Sequence, residues 1–202
     1  EKYMIVGLQY GPADDIIAWA GEAIKNNPDY NVIITTHAYL KKDATTIDMF
    51  YSGTLSRKPT TANSTANNGN QIWSDLASQY ENVILVLSGH VPCADIKVRQ
   101  DVGVNGNTVT QFLIDPQGMD PVYDNKTGMV AMFYFSNGGK TIRVEYVSTY
   151  VSTEANDGRD YIYNCEENQF TFTIPETVEP TDVVCEYGVI EARYSNPITY
   201  PF

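Results

Sequence analysis

The chain contains two histidines, and each comes directly after a short apolar segment. His37 follows residues 32–36, and His90 follows residues 83–89. Segments this short and this rich in β-branched side chains are typical of buried strands in a parallel or mixed sheet. Open α/β sheets bind ligands beyond the carboxyl ends of their strands, and neutral imidazole is a common ligand of zinc, manganese and iron. The placement of the two histidines therefore makes them candidates to share one metal ion.

The elements before His37 are predicted to be a strand and a helix. Residues 3–8 form a short apolar run, and Gly11-Pro12 then opens a helix. We place Pro12 in the first helical turn and the end of the helix at Asn26-Asn27-Pro28. Inside this helix, four apolar residues recur at helical spacing: Ile16, Ile17, Ala20 and Ile24.

The segment between the two histidines is predicted to be a long loop followed by a short helix. Residues 41–70 have no sustained period and are rich in Thr, Asn and Ser, which favours a loop. Ile72, Leu76 and Tyr80 then mark one face of a helix before the strand that ends at His90. Crossovers that contain a helix usually connect parallel strands, so we expect both histidines at the same edge of the sheet.

Antiparallel hairpins are predicted from Asp95 onward. Asn105-Gly106 is a two-residue hairpin signal between the runs 96–104 and 108–114. Asn137-Gly138-Gly139 is a second signal between the runs 130–135 and 141–147. Alternating apolar residues predict one more strand that ends at Pro175, and residues 183–187 are a candidate last strand. The predicted class is α/β, with a mixed sheet and flanking helices followed by hairpins.

The composition limits the classes of partner. Acidic residues outnumber basic ones by 25 to 13, and the formal net charge is −12. Such a field repels nucleic acid and anionic membrane surfaces. No apolar stretch approaches the roughly 20 residues that span a bilayer, so we expect no membrane span. A bound divalent cation would reverse the repulsion of a phosphate group at short range, so a metal-centred phosphate site is compatible with this charge.

The segments around both histidines are similar to motifs of a known enzyme family. Thr35-Thr36-His37-Ala38-Tyr39-Leu40 resembles the fourth motif, and Ser88-Gly89-His90-Val91 resembles the last motif, Gly-His-x-His, of the calcineurin-like metallophosphoesterases, specifically of their bacterial branch. The resemblance covers roughly residues 3–175. Further segments similar to this branch are Leu8-Gln9-Tyr10-Gly11-Pro12, Trp19, Asn68-Gly69-Asn70-Gln71-Ile72-Trp73, Asn82-Val83, Gly106-Asn107-Thr108-Val109 and Asp115-Pro116-Gln117.

This resemblance implies a hydrolase with a two-metal centre, built as an αββα sandwich of two mixed sheets flanked by helices. The two metals would activate a bridging hydroxide and neutralise charge on the phosphoryl oxygens of a phosphate mono- or diester. In the family, the histidine of the fourth motif and the first histidine of the last motif bind the same metal. The resemblance therefore implies that His37 and His90 bind one ion of manganese, iron or zinc.

Two departures from the family pattern bear on activity. The Asp-x-His, Gly-Asp and Gly-Asn-His motifs, which supply the bridging aspartate, an asparagine ligand and the catalytic histidine, do not occur in these 202 residues. Pro92 stands where the family has the second histidine of Gly-His-x-His, and proline has no side-chain donor atom. We therefore expect residues 1–150 to be the C-terminal half of a phosphoesterase domain that is inert alone, and residues 151–202 to be a β-rich extension.

A different class of protein is the alternative. The chain would then be a non-catalytic binding or surface module on a degenerate phosphoesterase fold, without a metal. Under the first hypothesis, the missing N-terminal half or a homodimer partner covers the exposed part of the sheet. Scarce lysine and few cysteines slightly favour a secreted or cell-surface bacterial protein but also fit the cytoplasm.

Other residues are weaker candidates. Tyr39 could contact a substrate phosphate, although packing against the long loop is the more ordinary role. Cys93 is expected to be a small buried hydrophobe, and a bridge between Cys165 and Cys185 is open. Four acidic residues follow predicted strands or lie in loops near the same edge and could reach a metal, although acidic loop residues are usually only solvated: Asp43, Asp48, Asp95 and Asp115.

Overall fold

Four strands of a five-stranded sheet run parallel, and their carboxyl ends meet at one edge. A computed structural model describes residues 2–48, 66–117, 128–148, 161–162 and 168–174. The elements of this sheet and its helices are β1 (Tyr3–Leu8), α1 (Asp14–Lys25), β2 (Asn31–Thr36), α2 (Gly69–Ile72), a π-helical segment (Trp73–Ala77), β3 (Val83–Ser88), β4 (Lys97–Val102) and β5 (Thr108–Leu113). The elements of a second sheet are β6 (Met129–Ser136), β7 (Thr141–Ser148), β8 (Tyr161–Ile162) and β9 (Gln169–Thr173).

The helix α1 begins later than its sequence predicts. Its cap residue is Ala13, so Pro12 lies before the helix and not in its first turn. The carbonyl of Pro12 accepts hydrogen bonds from the backbone and side-chain amides of Asn67, both at 2.9 Å, which holds this carbonyl outside the helical ladder. The end of α1 is as predicted, with Asn26 as the C-terminal cap.

The second predicted helix is present but irregular. The side chain of Asn68 accepts from the Gln71 backbone amide, and the Gln71 side chain accepts from the Asn68 amide, so a capping box begins α2. From Trp73 the backbone continues as a π-helical segment that buries Leu76 and Ala77. Residues 49–65 of the predicted long loop lie outside the described part of the chain.

The first predicted hairpin is present, and it joins the parallel sheet. β5 pairs antiparallel with β4 but also parallel with β3, and the strand order is β1-β2-β3-β5-β4. The turn is not the predicted two-residue type, because β4 ends at Val102 and residues 103–107 form the connection. Side-chain amides explain the longer loop: Asn107 donates to the carbonyls of Tyr80 and Val83, and Asn105 donates to that of Gln79.

The second sheet packs on one face of the first sheet, and the helices pack on the other. β6 and β7 form the predicted hairpin, and β8 and β9 both pair with β7. One core cluster joins the helices to the first sheet and contains Ile17, Ile24, Ile34 and Leu76. A second cluster joins the two sheets and contains Ile33, Phe112, Ile142 and Val144. The predicted α/β class, with a mixed sheet and antiparallel pairs, is confirmed.

Some expectations concern parts of the chain that the structure does not describe. The candidate strand at residues 183–187, Pro175, Cys165 and Cys185 are among them. The described portion of the predicted 151–202 extension consists of β8, β9 and their immediate neighbours, and these strands belong to the same sheet as β6 and β7. Among the described residues, no helix combines the length and the apolar character that crossing a bilayer requires.

Candidate metal centre

A polar side chain follows the carboxyl end of each of the four parallel strands, so all four lie at the same edge of the first sheet. Tyr10 follows β1, His37 follows β2, His90 follows β3 and Asp115 follows β5. Backbone hydrogen bonds extend the sheet pairing past the strand ends: the Gly89 amide donates to the His37 carbonyl at 3.1 Å, and the Ile114 amide donates to the Ser88 carbonyl at 2.8 Å. The loops that carry His37, His90 and Asp115 are therefore fixed to one another by the backbone.

The two histidines meet as their sequence positions predict. Nε2 of His37 lies 2.7 Å from Nδ1 of His90, a hydrogen-bond distance, and the centroids of the two rings are 4.5 Å apart. His37 is exposed and His90 is half-buried, so the pair lies at the surface of the sheet edge. The predicted convergence of the two imidazoles is confirmed, while their role as metal ligands stays a prediction.

His90 adopts a backbone conformation that few side chains tolerate. Its φ is +70°, and the Val91 amide donates to the Gly89 carbonyl at 2.9 Å, so His90 is the central residue of a γ-turn of the rarer, strained form. Gly89 before it approaches the strand ends closely, because an added Cβ would lie 3.3 Å from the Ile114 carbonyl oxygen. Strain of this kind persists where the surroundings impose it, and it concentrates at functional sites.

The hydrogen bonds of the pair leave one nitrogen unsatisfied. Nε2 of His90 is buried and has no hydrogen-bond partner among the residues that the structure describes. If Nδ1 of His90 carries the proton, it donates to Nε2 of His37 and leaves the His90 Nε2 lone pair buried without a donor. If His37 donates instead, a neutral His90 buries an Nε2–H without an acceptor. Both tautomers therefore carry an energetic cost that other elements of the structure offset.

The pKa of His37 is lowered from its ordinary value. Partial burial of the ring is the main cause, and repulsion from His90 adds to it, while the Asp115 carboxylate acts in the opposite direction. A lowered pKa keeps His37 neutral near pH 7, and the neutral form is the one that has a lone pair for a metal.

The atoms that converge here fit a metal ion in part. With Zn–N bonds of about 2.1 Å, two nitrogens of a tetrahedral shell lie about 3.4 Å apart, which is somewhat more than the 2.7 Å between the two imidazoles. The two rings would therefore have to move slightly apart to bind one ion. Within the described ranges, however, no three His, Cys, Asp or Glu side chains are grouped so that they could hold one ion.

The acidic candidates are mostly engaged elsewhere. Asp43 accepts from Thr45 in a turn, Asp48 pairs with Lys41, and Asp95 accepts from the side chain of Asn168. Asp115 is buried and accepts from the Gln117 amide at 3.1 Å. It acts on His37 through its charge, so it contributes to the electric field at the histidines even though it completes no ligand group.

Tyr39 and Cys93 lie inside the protein. Tyr39 has no exposed surface, and its hydroxyl donates to Oε1 of Gln111 at 2.7 Å, so the structure supports the packing role and not contact with a substrate. Burial raises the pKa of Tyr39, and the negative charge of Asp101 adds to this effect. Cys93 is a buried free thiol whose pKa is raised by burial, which agrees with the expected role as a small hydrophobe.

Tyr10 is the residue at this edge whose position the sequence patterns did not reveal. Its ring centroid lies 5.3 Å from that of His37 and 5.5 Å from that of His90. Burial raises the pKa of its hydroxyl. Its place directly after the first predicted strand was the available signal, because the carboxyl ends of parallel strands share an edge.

Comparisons with known proteins give little further definition. Neither a family model nor a solved structure matches the chain. The chain is similar to the uncharacterized protein YvnB of Bacillus subtilis (strain 168), with 24% identity over 184 residues. The matched region is 89% of this chain but 13% of YvnB, so the chain spans a small part of that protein's length.

The charge environment of His37 predicts opposite effects of two substitutions. Replacing His90 by Gln removes a repulsive charge, so we expect the His37 pKa to rise. Replacing Asp115 by Asn removes an attractive charge, so we expect it to fall further. Titration of the His37 Cε1–H signal by NMR in metal-free protein measures both shifts. Shifts in the same direction for both variants would contradict this description.

The lowered pKa of His37 also makes the stability of the fold depend on pH. Because the pKa of His37 is lower in the folded than in the unfolded protein, the neutral ring contributes to the free energy of unfolding above about pH 6.5. This contribution is lost as the pH falls through the folded pKa.

The strained turn predicts an unusual order of stability at position 90. Glycine adopts a φ of +70° without the Cβ conflict that alanine meets, so we expect His90→Gly to be more stable than His90→Ala by about 1 kcal/mol. Urea denaturation of the two variants measures the difference. In the extended strand β2 the order reverses, so Thr35→Ala and Thr35→Gly serve as the control pair. Equal stability of the two position-90 variants would show that the turn is not strained.

Proposed function

We propose that this chain is part of a metal-dependent phosphoesterase of the calcineurin-like class, in which His37 and His90 bind one ion of a two-metal centre. The observation that carries the proposal is the 2.7 Å approach of His37 Nε2 and His90 Nδ1, delivered by two adjacent parallel strands. The ion is manganese, iron or zinc, which accept imidazole ligands. When bound, it would supply Lewis-acid activation and neutralise negative charge on a phosphate ester.

The layered architecture is compatible with this proposal. The helices, the mixed sheet and the antiparallel sheet form successive layers, and an αββα sandwich has these layers with further helices outside the second sheet. The net charge of −12 favours a small phosphate-ester substrate over nucleic acid. The acidic surface repels a polyanion along its whole length, whereas a bound ion could offset the repulsion of one small phosphate group at short range. The charge does not discriminate between monoesters and diesters.

The chain by itself is proposed to be inert. Two neutral imidazoles supply half of a tetrahedral shell, and Pro92 offers no donor where the family has a second ligand. The bridging aspartate and the catalytic histidine of the family would have to come from a preceding half. His37 and His90 would then mark one part of an active site that is completed by other residues.

A non-catalytic module is the second candidate. The described residues contain no group of three metal-ligating side chains, and this observation favours a sheet that has kept its fold and lost its chemistry. Metal content separates the two candidates, because a module would hold no ion even in the longest natural gene product.

Metal binding by the chain tests the proposed site. We expect isothermal calorimetry to detect zinc binding that His37→Ala and His90→Ala each weaken at least about tenfold, because each removes one of two ligands. Asp43→Ala, a change at an exposed turn, should leave the affinity unchanged. The chain should not hydrolyse an aryl phosphodiester with manganese. Hydrolysis that His37→Ala abolishes would disprove the proposed inertness, and absence of metal from both the chain and its longest gene product would favour the module.

The proposed partner is a missing half or a second copy that covers one side of the sandwich. β1 and β6 each have one strand partner among the described strands, and they lie on the same side, since the Tyr3 ring contacts that of Phe135 at 4.9 Å. Ile5 is 69% exposed on β1 and Phe135 is 44% exposed on β6. Exposed apolar side chains at open strand edges are sites where further strands add.

Light scattering tests this covering surface. We expect the isolated chain to have the mass of a dimer, and Ile5→Lys to shift it toward a monomer, because a charge would then be buried in the contact. Val104→Lys is the matched control, since Val104 is 66% exposed outside these strands. If the chain is monomeric, the missing half should cover β1 in the longer gene product. The β1 amides that point away from β2 should then be protected from hydrogen exchange. A monomer whose β1 amides remain unprotected in both proteins would refute the proposed partner.

A further inference from the structure

The ring of Tyr10 is in contact with both histidines at once. It meets His37 edge-on, with an angle of 77° between the ring planes, and it meets His90 at a tilt of 35°. The three ring centroids form a triangle with sides of 5.3, 5.5 and 4.5 Å. These separations and the edge-on and tilted orientations are typical of favourable aromatic pairs. Each imidazole is therefore confined by the other imidazole on one side and by Tyr10 on another.

The loop that carries Tyr10 is held firmly. Gly11 has a φ of +56°, which turns the chain directly after Tyr10. The next carbonyl, that of Pro12, accepts two hydrogen bonds from Asn67, whose side chain also donates to Asp14 at 2.9 Å. The turn is thereby tied both to the segment before α2 and to the first turn of α1. These contacts fix the backbone at Tyr10, and the packing of its ring against the core cluster limits where the ring can turn.

Packing alone does not account for this position. Tyr10 and Tyr80 are both partly buried and both pack against the core cluster between the helices and the first sheet. In the described part of the chain, Tyr10 contacts both imidazoles, whereas no ring contact joins Tyr80 to either of them. Tyr80 is therefore a matched aromatic residue that serves the same core without touching the candidate metal centre.

We infer that Tyr10 is a positioning residue, whose ring holds His37 and His90 in the orientation in which their ligating nitrogens converge. The effect of Tyr10 on metal affinity rests on the proposed function. Its effect on the orientation of the two imidazoles does not depend on a metal. Residues that orient the ligands of a metal are important because a free imidazole must lose rotational freedom when it binds. Tyr10 would remove that cost before the ion arrives.

Three variants test the inference with cobalt as the probe ion. We expect Tyr10→Ala to weaken cobalt binding by about tenfold, as loss of ligand-orienting groups commonly does, and Tyr10→Phe to restore it because the ring is retained. Tyr80→Ala should destabilise the fold to a similar extent and leave the affinity unchanged. Cobalt absorption bands measure binding, and thermal unfolding of each variant shows that it is folded under the conditions used.

A second measurement needs no metal. The 15N chemical shifts of the four imidazole nitrogens, recorded at pH 8 in metal-free protein, report which nitrogens carry protons and accept hydrogen bonds. We expect Tyr10→Ala to move these shifts toward those of free imidazole, and Tyr10→Phe and Tyr80→Ala to retain the wild-type pattern. If Tyr10→Ala matches the wild type in these shifts, the inference is overturned. If the shifts move as expected but the wild type binds no cobalt, the proposed metal site fails and the positioning role stands.

Discussion

The parallel pairing of β2 with β3 is the constraint on which the candidate site depends. Thr36 lies opposite Ser88, so the loops that begin at His37 and Gly89 leave the sheet side by side. Both strands are buried on both faces: Ile34 and Val86 pack toward the helices, whereas Ile33 and Leu85 pack toward the second sheet. Because a slip by one residue would exchange the two faces of a strand, these two cores fix the register from both sides. The distance between the histidines is thus a consequence of core packing on both faces of the sheet.

Much of this arrangement could be predicted from local patterns. The apolar runs before His37 and His90 indicated strands, and the helical spacing of Ile72, Leu76 and Tyr80 between them indicated a crossover, so convergence at one edge followed from the geometry of parallel strands. The exact register was beyond such reasoning. The register shifts between Val32 and Ile33, because Ile84 is an additional residue in β3 with no partner in β2. As a result, Ile84 and Leu85 both pack toward the second sheet. An irregularity of this kind depends on contacts across the sheet and leaves no mark in either strand alone.

Long-range contacts also explain the other differences. Asn105-Gly106 indicated a hairpin correctly, but a turn signal carries no information on which sheet the hairpin joins, and three carbonyls of a distant segment determine the length of the loop. Tyr39 lies two residues beyond His37, yet its hydroxyl binds Gln111 on β5 in the interior. Tyr10 lies far from both histidines in sequence and reaches them because β1 belongs to the same parallel sheet. The direction of a side chain at the end of a strand is set by neighbours that the sequence does not identify.

If His37 and His90 bind an ion as proposed, the charges at the site would require further ligands. Two neutral imidazoles would leave the full charge of a divalent cation uncompensated, whereas the proposed phosphoesterase centre would add a bridging carboxylate. Asp115 attracts positive charge toward His37, but within the described residues it joins no ligand group. The strain at His90 and its buried Nε2, which has no partner in the described part of the chain, carry energetic costs that the surrounding sheet offsets, and such strain concentrates at functional sites. A cation held by these two neutral imidazoles, as we propose, would therefore need anionic ligands from elsewhere to be bound tightly.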